Sequence, residues 1–92
     1  MAKKWPFKDP TEVLDYTFDW SPRDIEGDPI TVIETDVITG DVVVTASAIT
    51  GDALTTHRLS GGTVDSVVNL HATLQSGQEL DQDVAIQIKE RT

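Results

Sequence analysis

The chain contains no cysteine, so a disulfide framework and a thiolate metal site are both excluded and packing alone must hold the core. Aromatic residues are few, and all of them, Trp5, Phe7, Tyr16, Phe18 and Trp20, lie within the first twenty positions. Basic residues are scarce. Seven Lys and Arg face sixteen Asp and Glu, giving a net charge of −9, and between Asp9 and His57 eleven acids meet one base, Arg23. Such a surface repels a phosphate backbone, so no nucleic-acid partner is expected. The charge keeps the protein soluble, or else offers an acidic face to a basic protein. No apolar run approaches the ~18 residues of a membrane helix, and no membrane association is expected. Lys3 and Lys4 have no apolar stretch behind them, so the start does not read as a secretory signal. No segment repeats apolar residues at i, i+3, i+4 and i+7 over a helical length.

What is present is a succession of strands. With 92 residues, 38% hydrophobic and 25% charged, the chain suits one modest domain without a deep active-site cleft. Leu14, Tyr16, Phe18 and Trp20 alternate with Asp15, Thr17 and Asp19, the period-2 pattern of a half-buried strand over about Glu12–Trp20. Residues 1–11 hold Pro6 and Pro10 and read as an extended N-terminal arm, with the domain proper at 12–92. Trp5 and Phe7 fall outside the strand register, beside Lys3, Lys4 and Lys8. They either fold back on their own domain or anchor a partner, as aromatic side chains do at interfaces. Interface candidates are therefore Trp5, Phe7, Lys3, Lys4 and Lys8.

Further strands are expected at about Ile30–Val37, Val42–Ala48, Ala53–Leu59, Ser66–Leu74 and Asp83–Lys89, with Glu90-Arg91-Thr92 as a polar tail. In the first of these Ile30 and Val32 share one face and Ile33 and Val37 the other, which needs a bulge or burial of both faces. Val43 and Ile49 suggest a second apolar strip opposite Val42, Val44, Ala46 and Ala48. Ile-Thr-Gly-Asp occurs at 38–41 and again at 49–52, and reads as two similar turns. Ser60-Gly61-Gly62-Thr63 is the strongest turn signal. Six or seven short strands with turns every eight to twelve residues predict an all-β, immunoglobulin-like sandwich, with a small barrel as the alternative.

Chemistry is sparse. His57 and His71 lie in no catalytic motif and are expected to face solvent or a neighbouring strand. Ser60 lacks the strand–turn–helix setting of a nucleophile elbow. The one cluster with metal character is Asp24, Glu26 and Asp28, alternate carboxylates that suit calcium, but Gly27 is misplaced for a twelve-residue calcium loop, so a solvated acidic loop and no metal is expected, with calcium as the alternative. No cofactor and no enzymatic activity are expected.

Lys8-Asp9-Pro10, Glu12-Val13-Leu14-Asp15-Tyr16, Asp19-Trp20, Leu59-Ser60-Gly61-Gly62-Thr63 and the ending Val84–Arg91 together resemble the small bacteriophage structural proteins described as fiber–tail adaptors. The resemblance runs from about Lys8 to Arg91. Where relatives carry an aromatic before the Gly-Gly turn and a Tyr in the strand after it, this chain has Arg58 and Val67–Val68. The resemblance implies an immunoglobulin-like fold and a multi-copy, non-enzymatic virion component between a tail tube or nozzle and a fiber. Its implied partners are those tail proteins and further copies in a homo-oligomeric ring, and it would be made in the host cytoplasm. Alternatives are a capsid decoration or head–tail connector protein and, in another class, an immunoglobulin-like adhesion or carbohydrate-binding module.

Overall fold

β-Branched and aromatic residues at alternate positions, separated by turn residues, fold among the described residues into strands and one short 3-10 turn at Ser21–Arg23. The computed structural model describes residues 3–90. Its strands are β1 (Lys3–Lys8), β2 (Leu14–Asp19), β3 (Ile30–Thr39), β4 (Val42–Gly51), β5 (Leu54–Gly61), β6 (Ser66–Leu74) and β7 (Glu79–Ile88). They form two sheets, a larger one in the order β1-β7-β6-β3 and a smaller one in the order β2-β5-β4. This is the expected all-β sandwich and not a closed barrel.

The core is where the alternation put it. Tyr16, Phe18 and Trp20 are buried beneath Val68, Leu70, Ala72 and Leu74 of β6 and Val84, Ile86 and Ile88 of β7. Trp20 has no exposed surface; Phe18 meets it edge-on, with ring centroids 4.8 Å apart.

The N-terminal arm is corrected. Residues 3–8 are a strand of the sandwich, parallel to β7, with Trp5 opposite Ile86 and Lys8 opposite Ile88. Pro6 is tolerated because β1 is an edge strand, where a missing N–H breaks no ladder, and the register shifts between Trp5 and Lys8. The sandwich therefore includes residues 3–8 and does not start only at residue 12. Met1 and Ala2 of the expected arm, and Arg91 and Thr92 of the expected tail, lie outside the described residues.

Bulges explain the irregular strands. In β3 the register shifts between Ile30 and Val32 and again between Val37 and Thr39. In β4 it shifts between Val44 and Ala46, so the parity of the strand changes there. Ser47 then faces inward opposite His57, while Ala46 and Ala48 join Val43 on the outer face and Ile49 lies opposite buried Thr55. The expected strip of Val43 with Ile49 is thereby divided between two faces.

The two Ile-Thr-Gly-Asp turns also differ. Gly40 takes a positive φ of 88°, and a Cβ there would collide with Ser66. Gly51 closes β4 opposite Leu54, and the second turn is Asp52-Ala53. Asp41 ties the first turn to the Gly-Gly loop: its carboxylate accepts from Thr63 N (2.8 Å), Thr63 Oγ1 (2.5 Å) and Val64 N (3.3 Å). Those bonds, the Thr63 hydroxyl first, hold its pKa below the usual carboxylate value.

Candidate protein interface

The sequence candidates separate by where β1 places them. Trp5 turns inward, stacking on Tyr16 at 5.0 Å and approaching His57 at 5.7 Å, so most of its surface is spent on its own core. Phe7 is half-buried with the Lys89 ammonium 4.2 Å above its ring. Lys8, offered as an interface cation, is fully buried. Its Nζ donates to Gly61 O (2.6 Å) and Asp9 O (2.9 Å), which pins β1 to the Gly-Gly turn, and desolvation lowers its pKa. Lys3 and Lys4 remain exposed. Lys4 is opposite Ala85, on the outer face, beside a groove of about 320 Å³ that Val67 and Gln87 also line.

The opposite side of the sandwich carries the expected exposed Val43 and Ile49 together with aliphatics that the sequence reading did not single out. Of the large apolar side chains that remain exposed, most lie on β3 and β4: Val32, Val37 and Ile38, and Val43 and Ile49. Ile38 and Val43, each about half exposed, flank the Gly40-Asp41 turn, and Val64 is joined to that turn through Asp41. Exposed aliphatics on adjoining edge strands make this a candidate interaction surface. Val43 is exposed by plain alternation with buried Val42, whereas the shifts at Thr31, Ile38 and Thr45 break that alternation elsewhere in the two strands.

The outer face of the larger sheet is acidic. Glu34 and Asp36 of β3 stand opposite His71 and Asn69 of β6, which in turn stand opposite Asp81 and Asp83 of β7. His71 bonds Asp81 through Nδ1 and Glu79 through Nε2, each at 2.7 Å. Asp81 and then Glu79 raise its pKa to about 9, so it is an imidazolium at neutral pH. Asn69 Nδ2 donates to Asp83 at 3.0 Å, and Arg23 donates to Asp81 O at 3.1 Å.

His57 has the contrary setting and, of the two settings expected for it, takes the neighbouring strand and not solvent. It is buried in the seam between the sheets, and desolvation lowers its pKa to about 4. Trp20 Nε1 donates to Thr55 Oγ1 (3.0 Å), and Thr55 lies 2.8 Å from His57 Nε2. Nδ1 is 2.8 Å from Thr35 Oγ1, which is itself 2.8 Å from Ser47 Oγ. Thr55 accepts from Trp20 and keeps both a proton and a second lone pair for Nε2, while the Thr35 and Ser47 hydroxyls serve Nδ1. Both nitrogens of the ring are thus engaged by hydroxyls, an arrangement that fastens β5 to β3 across the seam.

Asp24, Glu26 and Asp28 line a pocket of about 520 Å³ together with Asp52 and Ile25. Asp28 is occupied by Ser76, accepting from its N–H (2.9 Å) and its hydroxyl (2.6 Å). Among the described residues no group of three or more His, Asp or Glu side chains is arranged to hold a metal ion, and no helix is long and apolar enough to cross a membrane.

Comparison with known proteins gives a family and a fold. The family described as Gp77, podophage GP4 fiber-tail adaptor protein gp77, matches residues 8–87. No curated protein matches the chain. Among solved structures the chain is similar to the solution structure of the PKD domain from KIAA 1837 protein, at 16% identity and a TM-score of 0.57, covering 99% of this chain and 82% of that one. At that identity the likeness shows the fold, an immunoglobulin-like sandwich.

Proposed function

From a chain that belongs to the podophage GP4 fiber-tail adaptor family over residues 8–87, we propose a non-enzymatic virion protein that sits in several copies between the tail tube or nozzle and the tail fibers. The family match over most of the chain carries this reading. Two further features support it. The polar groups best placed for chemistry, around His57, are consumed in holding the sheets together. Exposed aliphatics and unlike charges are instead presented on strand edges, where neighbouring proteins can pack.

A cyclic arrangement of copies multiplies contacts that are individually weak, since each added contact acts at high effective concentration. Its partners are then the tail and fiber proteins and further copies, with neither nucleic acid nor membrane engaged by so acidic a surface, and the chain is made in the host cytoplasm. Deleting the gene is expected to give particles with heads and tails but no fibers, visible by negative-stain electron microscopy. Antibody labelling on the head with fibers intact would instead support a capsid decoration protein.

A further inference from the structure

We propose that copies of this chain join edge to edge through the larger sheet, with β1 of one copy lying parallel to β3 of the next. The inference deepens the multi-copy adaptor reading and rests on it. β1 and β3 are the two ends of the same sheet. β1 is parallel to β7, β7 antiparallel to β6 and β6 antiparallel to β3, so β1 and β3 run in the same direction. Rotation about an axis along the strands therefore brings the two edges together without reversing either chain.

Charge selects this pairing over the others. Lys4 lies opposite Ala85, and Glu34 and Asp36 lie opposite His71 and Asn69, all on the outer face. A continued sheet sets the exposed Lys4 of one copy beside the exposed Glu34 and Asp36 of its neighbour. A two-fold contact would do the reverse, placing lysine against lysine at a β1–β1 junction and carboxylate against carboxylate at a β3–β3 junction. Like charges opposed across a strand pair are destabilising, so the head-to-tail contact is the favoured one, and that kind of contact closes rings. Lys3, Lys4 and Pro6 also keep β1 from pairing indiscriminately. Partly buried Trp5, on the inner face, then comes beside the aliphatic Val37, which lies opposite buried Val68.

The test is zero-length carbodiimide coupling of purified particles and of the purified chain at high concentration, read by peptide mass spectrometry. Within one copy Lys4 and Glu34 are separated by three strand spacings of ~4.8 Å each, so a direct amide between them reports two copies. Expected are cross-linked peptides joining Lys3 or Lys4 to Glu34 or Asp36 in multimer bands. Lys4→Glu should reduce their yield about tenfold, as should Glu34→Lys with Asp36→Lys. All three changes together should restore copy-to-copy contact, read as recovery of the multimer in native mass spectrometry. Coupling of Lys4 to another virion protein, or failure of the combined variant to recover, overturns the edge contact while leaving the adaptor role intact. If mass spectrometry finds no copy of the chain in wild-type particles, the adaptor reading fails, and coupling in solution decides the edge contact alone.

Discussion

The seam between the sheets and the outer face of the larger sheet each hold one histidine, and the two are in opposite protonation states at neutral pH. In the seam, His57 is shut away from water, surrounded by the Thr55, Thr35 and Ser47 hydroxyls and stays neutral. On the outer face, His71 lies between two carboxylates and stays charged. The same side chain is thus a structural rivet in one place and a charge neutraliser in the other. Neighbours decide which. Burial without an anion removes the proton; exposure beside two anions retains it.

The seam can be broken most severely at its aromatic end. Trp20→Ala removes the largest buried side chain and the donor to Thr55, and should cost ~3–5 kcal/mol, measured by urea unfolding. A loss below 1 kcal/mol would show that the seam is loosely packed. His57→Leu keeps the bulk but leaves the buried hydroxyls of Thr55 and Thr35 without their ring partner, a cost of about 1–3 kcal/mol.

Stability against pH sharpens the contrast, because the two histidines slope in opposite directions. In the seam the folded pKa, about 4, lies below the unfolded value of ~6.5, so the unfolded chain binds more protons between those values. Stability is full above pH ~6.5 and falls as pH drops toward about 4. Melting temperatures across this window should decline for the wild type and stay nearly flat for His57→Leu. Asp15, Asp19, Asp41 and Asp81, whose pKa values are lowered by their hydrogen bonds, give way only at still lower pH.

On the outer face the folded pKa, about 9, lies above the unfolded one. That contribution is full below pH ~6.5 and lost as pH rises toward about 9. His71→Gln should therefore remove the alkaline decline and leave the acid one. This is the smallest of the effects, since the cluster faces water, and high salt should shrink it further while barely touching the seam. An alkaline limb that survives both His71→Gln and high salt would show that the cluster has no part in stability.

How much of this is legible in the sequence depends on whether the cause is local. β6 runs Ser66–Leu74 as expected, because its alternation is strict and a turn bounds each end. Tyr16, Phe18 and Trp20 are core for the same reason. β1 is not legible as a strand, because Pro6 argues against one unless the strand is known to lie at an edge, and edge position is a property of the whole sheet. Lys8 looks like a surface cation until the carbonyl of Gly61, fifty-three residues away, is placed beside it. His57 alternates with Thr55 and Leu59 in a pattern that suits either face, and only Thr35 and Ser47, brought in by other strands, make the inner face tolerable. The exposure of Lys3 and Lys4 is readable from composition; the position of Glu34 and Asp36 at the far edge of the same sheet is not.

The parallel pairing of β1 with β7 also bears on when the fold can form. The first strand described takes its place only on the last, and Lys89 N–H closes the junction on Lys8 O at 3.0 Å. Until β7 has left the ribosome, β1 has no strand to pair with, and Trp5, Phe7 and the underside of Tyr16 remain uncovered. Synthesis at ~5–20 residues per second keeps them so for several seconds. Contacts of such long sequence separation also place the domain among slow folders. The nascent chain thus passes through an interval in which its stickiest residues are open to chaperones and to other chains, and its net charge of −9 opposes their association.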